Sequence, residues 1–272
     1  MLRIDIDEVL REKMPRRAKY IPRFVRQWLR RTIHEEELNR ILEEGQTASP
    51  REFIRIALHY MRVDYTVEGL ERLDTQERYL FVANHPFGGM DGMMIAAALI
   101  DRFGDVRVVI NDLLMHVEPL RPIWLPVNKH GRQTPEYVRQ YDEAFYGDVP
   151  LLTFPAGLCS RRRNGVVSDT EWRLNFIKRA HASRRKIVPL YVEGQLSDFF
   201  YRMARFRERI GIRTNIEMLW LPDEMFRQSG SSLRIAAGEP VAPEELTGTL
   251  RQQADAIREA VYRLKDRLSC PK

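Results

Sequence analysis

Hydrophobic and polar positions along this chain follow two rhythms in succession. Up to about Met61 the rhythm is helical. From Ile21 to Ile33 the apolar residues Ile21, Phe24, Val25, Trp28, Leu29 and Ile33 recur at helical spacing, while Arg23, Arg26, Arg30 and Arg31 take other faces, which predicts a basic amphipathic helix. A second helix is expected over Glu35–Glu44, stopped by Gly45, and a third from Ser49-Pro50 to Met61. Beyond Tyr65 short β-rich runs alternate with longer amphipathic stretches, the pattern of an α/β sheet. Strands are expected at Asp64–Val67, Tyr79–Ala83, Val106–Ile110, Ile123–Val127, Leu151–Phe154, Lys186–Val192, Ile216–Leu219 and Leu233–Ala236. Helices are expected at Met90–Asp101, Pro135–Phe145, Thr170–Ala182, Asp198–Arg209 and Thr249–Leu268. The change of rhythm divides the chain into a helical segment, 1–64, and an α/β domain, 65–272.

Composition narrows the class. With 272 residues, 44% hydrophobic and 30% charged, the chain has the apolar content for a substantial core, which excludes disorder and a small disulfide scaffold. The longest apolar run, Met93–Ile100, has eight residues, whereas a bilayer-spanning helix needs roughly 20. The N-terminal stretch alternates charge with apolar residues and does not read as a secretory signal. Cys159 and Cys270 stand far apart without metal-ligand spacing, so neither a zinc site nor a disulfide framework is expected. Reduced thiols and no signal point to the cytoplasm.

The net charge of +6 is unevenly placed: between Arg11 and Arg31 nine basic residues oppose Glu12 alone, a local +8 that leaves the remainder at −2. Such a segment calls for an anionic partner. A helix with Trp and Phe on one face and arginines on others suits a membrane interface, and packing on the core is the other reading. A second basic stretch, Arg202, Arg205, Arg207, Arg209 and Arg213 against Glu208, reads as a solvated helix face or a docking site for an acidic carrier protein.

The segment that carries chemistry is Tyr79-Leu-Phe-Val-Ala-Asn-His-Pro-Phe-Gly-Gly-Met-Asp-Gly. A hydrophobic strand ends at Asn84-His85 and a helix starts near Asp91, which puts His85 at a strand's carboxyl end, where α/β proteins bind ligands. Gly88 and Gly89 let the backbone turn tightly enough for the Asp91 carboxylate to reach the imidazole. A histidine held in one tautomer by a carboxylate is a general base for a hydroxyl. In isolation the pair reads more readily as a helix cap and a loop histidine.

NHPFGGMDG resembles the first block of the bacterial glycerolipid acyltransferase family, the 1-acylglycerol-3-phosphate acyltransferase type. FPAGLCSR at Phe154–Arg161 resembles its FPEGTRSR block, IVPLYVEG at Ile187–Gly194 its short Val-Pro strand, and WLPVNKHGR at Trp124–Arg132 sits where the family has a substrate-binding block. The NHPFGG form is most similar to the hemolysin-like and ornithine- or glycine-lipid branch. Two departures stand out: five residues rather than four separate His85 from Asp91, and Ala156 and Leu158-Cys159 replace the Glu and the Thr-Arg of the third block. Glu193 and the run Arg161–Arg163 are the candidates to compensate.

The resemblance implies a mixed, largely parallel twisted sheet flanked by helices, with an N-terminal helical segment. It also implies acyl transfer from acyl-CoA or acyl carrier protein to a lysolipid hydroxyl, without metal or cofactor, His85 acting as base and Asp91 orienting it. Asn84, Lys129, Arg132, Gly157, Ser160 and Arg161 are the expected substrate-side residues, with Asn84 and Gly157 also readable as turn residues. With residues 11–33 on an anionic membrane, the protein is expected to be peripheral on the cytoplasmic face. A hydrolytic or non-catalytic lipid-binding relative is the alternative. No GxSxG elbow is present, and the absence of nucleic-acid-binding signatures makes nucleic acid an unexpected partner. Cys159 is paired with no base, and His116 and His130 read as ordinary histidines.

Overall fold

The computed structural model describes residues 3–13, 15, 18–111, 115–127, 135–212 and 214–269. Four helices open the chain: α1 (Ile6–Lys13), α2 (Arg23–Thr32), α3 (Glu35–Glu44) and α4 (Pro50–Met61). Then come β1 (Asp64–Glu68), β2 (Tyr79–Ala83), α5 (Gly89–Phe103), β3 (Arg107–Asn111), β4 (Trp124–Val127), α6 (Pro135–Tyr146), β5 (Leu151–Thr153) and the short strands β6 (Arg161–Arg163) and β7 (Val166–Ser168). The chain ends with α7 (Asn175–Ser183), β8 (Lys186–Val192), α8 (Asp198–Arg209), α9 (Leu221–Phe226), β9 (Ser232–Ala237) and α10 (Leu250–Ser269).

These elements form two compact units. One is helical and takes residues 1–63 together with 117–119 and 196–231; the other takes 64–116, 120–195 and 232–272. The boundary near residue 64 is where the rhythm of the sequence changes, but the helical unit also reclaims α8 and α9 from within the α/β part.

In the helical unit the expected α2 face splits in two. Ile21, Leu29 and Ile33 pack against the buried Ile6, Leu10 and Ala18, whereas Phe24 and Trp28 stay 73% and 46% exposed. The arginines divide as well. Arg26 Nη1 lies 2.9 Å from Asp7 Oδ1, and Arg30 pairs with both Asp7 and Glu35, so part of the basic cluster is neutralised by α1 and α3. Ser49 and Glu52 form a reciprocal capping box at the start of α4, with Pro50 at its first position. The expected strand over Ile216–Leu219 is instead a 3₁₀ helix, Ile216–Trp220, leading into α9. A short apolar run does not distinguish strand from buried helix by periodicity. Here Glu217 is fully buried with its Oε2 2.9 Å from Arg207 Nε on α8, a contact that fixes the helical turn.

In the α/β unit the sheet order is β1-β9-β8-β2-β5-β3-β4, parallel throughout except for the antiparallel β8–β9 pair. β2 is central, with all five residues buried between β8 and β5. The run Met93–Ile100 forms the middle of α5, largely buried rather than spanning anything. Ala254, Ile257, Val261, Leu264 and Leu268 of α10 join Ile187, Tyr191, Trp172 and Phe176 in one apolar cluster. Beside it Arg185, fully buried, donates to the carbonyls of Tyr79, Ala144, Phe145 and Gly147. It ties the C-terminal end of α6, where helix carbonyls lack partners, to the start of β2, and burial pulls its guanidinium down to about 10. Arg185→Leu leaves those four carbonyls without this partner and is expected to cost about 3 kcal/mol or more, read as a lower urea midpoint at unchanged slope.

Candidate active site

The sheet itself delivers the site residues. Beyond the last strand residue of β2, Asn84 continues the β2–β8 pairing with its side chain: Nδ2 donates to the Val192 carbonyl at 2.9 Å, and the Val192 N–H donates to Oδ1 at 2.7 Å. Its amide is thus committed to the strand end. His85 is the next residue, 18% exposed at its side chain. The chain then folds back through Pro86–Met90. Gly88 adopts φ +77° and α5 starts at Gly89, so the turn between His85 and Asp91 passes through a position only glycine adopts without strain. Asp91, on the first turn of α5, is fully buried. Its Oδ2 accepts from the N–H groups of Phe87 and Gly88 at 2.9 and 3.0 Å and lies 3.0 Å from His85 Nδ1. Burial pushes the Asp91 carboxyl up, against the opposing pull of His85 and the two amides. The Phe154 ring lies 4.2 Å from the imidazole, centroid to centroid. Phe87 packs where a Cβ on Gly194 would come within 2.2 Å of its ring, which accounts for the glycine that ends the Val-Glu-Gly segment.

The main chain of His85 is held from the other side by a residue that the sequence did not flag. Asp169 Oδ1 accepts the His85 N–H at 3.1 Å and the Ser160 hydroxyl at 2.6 Å; Oδ2 accepts the Trp172 indole N–H at 2.9 Å. The Ser160 N–H in turn donates to the His85 carbonyl at 2.8 Å. Asp169 is anchored through its own backbone by the Tyr262 hydroxyl and by Arg258. Ser160 and Asp169 are the two feet of the β6–β7 hairpin, closed by Asn164-Gly165 with φ +50° and +81°. That Asn-Gly turn between short runs was the readable signal, and it would have drawn attention to the residues flanking the hairpin.

Comparison with known proteins agrees with this architecture. A family model described as Acyltransferase matches residues 8–271. A lyso-glycine lipid O-acyltransferase of Bacteroides thetaiotaomicron is 37% identical over 264 residues, covering 96% of this chain and 97% of that one. A lyso-glycine lipid O-acyltransferase of Phocaeicola vulgatus is 36% identical, covering 96% and 95%. The chain belongs to the acyltransferase family. Among solved structures it is similar in fold to the 1-acyl-sn-glycerophosphate acyltransferase PlsC of Thermotoga maritima, with a TM-score of 0.50 and 16% identity over 82% of this chain and 79% of that one.

In this acyltransferase the third block braces the site. Ala156 is buried in the core cluster, and Gly157, at φ +64°, closes a turn by donating to the Phe154 carbonyl at 2.9 Å. The Ser160 hydroxyl is spent on Asp169, and the buried Arg161 donates to the Cys159 carbonyl at 2.9 Å. Cys159 is buried, its thiol pushed up to about 12 by desolvation, so thiolate is scarce at neutral pH. Glu193 pairs with Arg234 through both carboxylate oxygens, at 2.9 and 3.1 Å. Lys129, Arg132 and His130 lie outside the described residues, and His116 is exposed.

Two outcomes follow from this geometry. Asp169→Ala frees the His85 main chain, and a displacement of about 1 Å there is expected to lower turnover on the order of 100-fold, measured beside a melting curve that shows the fold retained. Asp91 holds its proton in the folded state to a higher pH than the unfolded chain does. The stability carried by that proton is present below the usual carboxylate value near 3.8 and is lost as pH rises through the folded value. Asp91→Asn keeps an oxygen for the Phe87 and Gly88 amides and removes the buried charge. It is therefore expected to be inactive, yet to melt at or above the wild-type temperature at pH 7, with a smaller gain near pH 4.

Proposed function

We propose that this acyltransferase moves a fatty acyl group from a thioester, acyl-CoA or acyl carrier protein, to the hydroxyl of a lysolipid, with a lyso-glycine lipid as acceptor. The observation that carries the reading is the 3.0 Å approach of His85 Nδ1 to Asp91 Oδ2 at the end of the central strand. With Nδ1 turned to the carboxylate, Nε2 is the nitrogen left for the acceptor. It takes the hydroxyl proton as the oxygen attacks the thioester carbonyl; the C–S bond then breaks, and the departing thiolate collects the proton from the imidazolium. The products are an ester and a free thiol. A thioester is already activated, so the step asks nothing of a metal or redox cofactor. Asp91 keeps the tautomer and stabilises the imidazolium as it forms.

The acceptor reading is supported by the names of the two relatives, which match almost end to end. For the acceptor's carboxylate we assign Lys129 and Arg132, the cations that follow β4 in sequence. No helix among the described residues is long and apolar enough to cross a membrane. We therefore assign access to lipid to a peripheral contact with the cytoplasmic face, through the exposed Phe24 and Trp28 of α2 with Arg23 and Arg31 beside them.

His85→Ala is expected to lower acyl transfer by about 10²–10⁴-fold with the melting temperature held. Product formation is followed by mass spectrometry with lyso-glycine lipid and lysophosphatidic acid offered in parallel. Diacyl product from lysophosphatidic acid alone would overturn the acceptor assignment, and undiminished turnover would remove His85 from the mechanism. Phe24→Ser with Trp28→Ser is expected to weaken co-sedimentation with anionic vesicles while leaving the melting curve in place.

A further inference from the structure

Helix α8 carries an apolar stripe that the helical unit does not use up. Its inward face is Phe200, Ala204 and Arg207, buried together with Tyr201. Beside that face Phe199, Met203, Phe206 and Ile210 recur at intervals of four, three and four residues, the spacing that lines side chains along one flank of a helix. The stripe begins inside the unit. The Phe199 ring meets Trp220 edge-on at 5.5 Å, and Trp220 meets Trp28 of α2 at 5.8 Å. It ends outside, with Phe206 56% and Ile210 50% exposed, and the chain just beyond adds the exposed Ile212 and Ile216. On the adjoining flank Arg202, Arg205 and Arg209 are exposed and form no ion pair among the described residues.

We propose that the outer half of α8 and the turn after it form a second lipid-contacting surface, joined through Trp220 to the Phe24–Trp28 face of α2, and that its occupant is an anionic bilayer. Phe206, Ile210, Ile212 and Ile216 enter the boundary between headgroups and acyl chains, and Arg202, Arg205 and Arg209 meet lipid phosphates. Large apolar side chains flanked by unpaired cations are the composition such an interface needs, whereas a monomer left in water gains nothing from exposing them. Twofold association with a second copy through this patch would bring the same arginines together, a like-charge contact that disfavours self-pairing. An acidic carrier protein matches the arginines but leaves the length of the stripe and the aromatic chain behind it without a partner. The inference rests on the lipid substrate proposed above, and it gives membrane contact two separate footholds rather than one helix.

The test is co-sedimentation of the full chain with vesicles of phosphatidylcholine alone and of phosphatidylcholine mixed with phosphatidylglycerol. Phe206→Ser with Ile210→Ser is expected to weaken binding to the anionic vesicles on the order of tenfold with an unchanged melting curve. Arg202→Gln, Arg205→Gln and Arg209→Gln together are expected to abolish the preference for anionic vesicles at low salt. Ile210→Trp, which keeps the position apolar, is expected to show emission that shifts to the blue and is quenched by brominated acyl chains, a readout that does not depend on the serine variant folding. If the α2 variant loses binding and the α8 serine variant binds like wild type, the second surface is overturned and the α2 contact stands. If wild type binds neither vesicle, both fail together. The proposal is also overturned if vesicle binding is kept but the serine variant raises KM only for an acyl carrier protein donor, or if it converts a dimer to a monomer.

Discussion

The candidate site of this protein depends on how one residue is held as it leaves the sheet. His85 stands just past the last rung of β2, where its N–H and carbonyl no longer have ladder partners. Asp169 takes the N–H and Ser160 takes the carbonyl, each also bonded to the other. Asn84 beneath is sewn to Val192, and Asp91 meets the ring. The imidazole is thereby set by four residues from two stretches of the chain, through the side chains of Asn84, Asp91 and Asp169 and the main-chain N–H of Ser160. No single one of them would place it, because a loop residue held at one atom still rotates about the others.

This arrangement is expensive. Asp91 and Asp169 are both buried, and each has its carboxylate served mainly by neutral N–H and O–H donors. Burying a carboxyl group is costly and is tolerated where the geometry it enforces is needed. The surrounding core supplies the offset: the cluster of β2, β8, α7 and α10 fixes the positions from which Trp172 and Tyr262 reach Asp169. The changes in the third block fit this economy. Ala156 fills core volume, Cys159 is a buried thiol held protonated, and the buried Arg161 donates to the Cys159 carbonyl, so the segment packs beneath His85.

Much of the scaffold was legible because local signals agreed. Tyr79–Ala83 reads as a buried strand from its unbroken apolar run, and Ser49-Pro50 reads as a helix start, each matching the structure residue for residue. Ile216–Leu219 misled because Ile, Met and Leu are apolar in either conformation and the deciding contact, Glu217 with Arg207, is a tertiary one. The N-terminal helix α1 was missed for a related reason. Its apolar residues Ile6 and Leu10 are few and gain their meaning only against Ala18, Leu29 and Ile33.

His85 and Asp91 could be paired from sequence because they are near neighbours linked by glycines, and a short loop leaves few ways to turn. The seven parallel-paired and antiparallel-paired strands, by contrast, order themselves through contacts distant in sequence, as does the path that brings Asp169 to His85 across 84 positions. Spacing carries no information at that range, since closing a long loop costs nearly the same for many partners. The amphipathic face of α2 shows the same division. Its periodicity was fixed by the sequence of apolar residues, but which of them would be buried and which left exposed was decided only when α1 packed against Leu29 and left Phe24 and Trp28 outside.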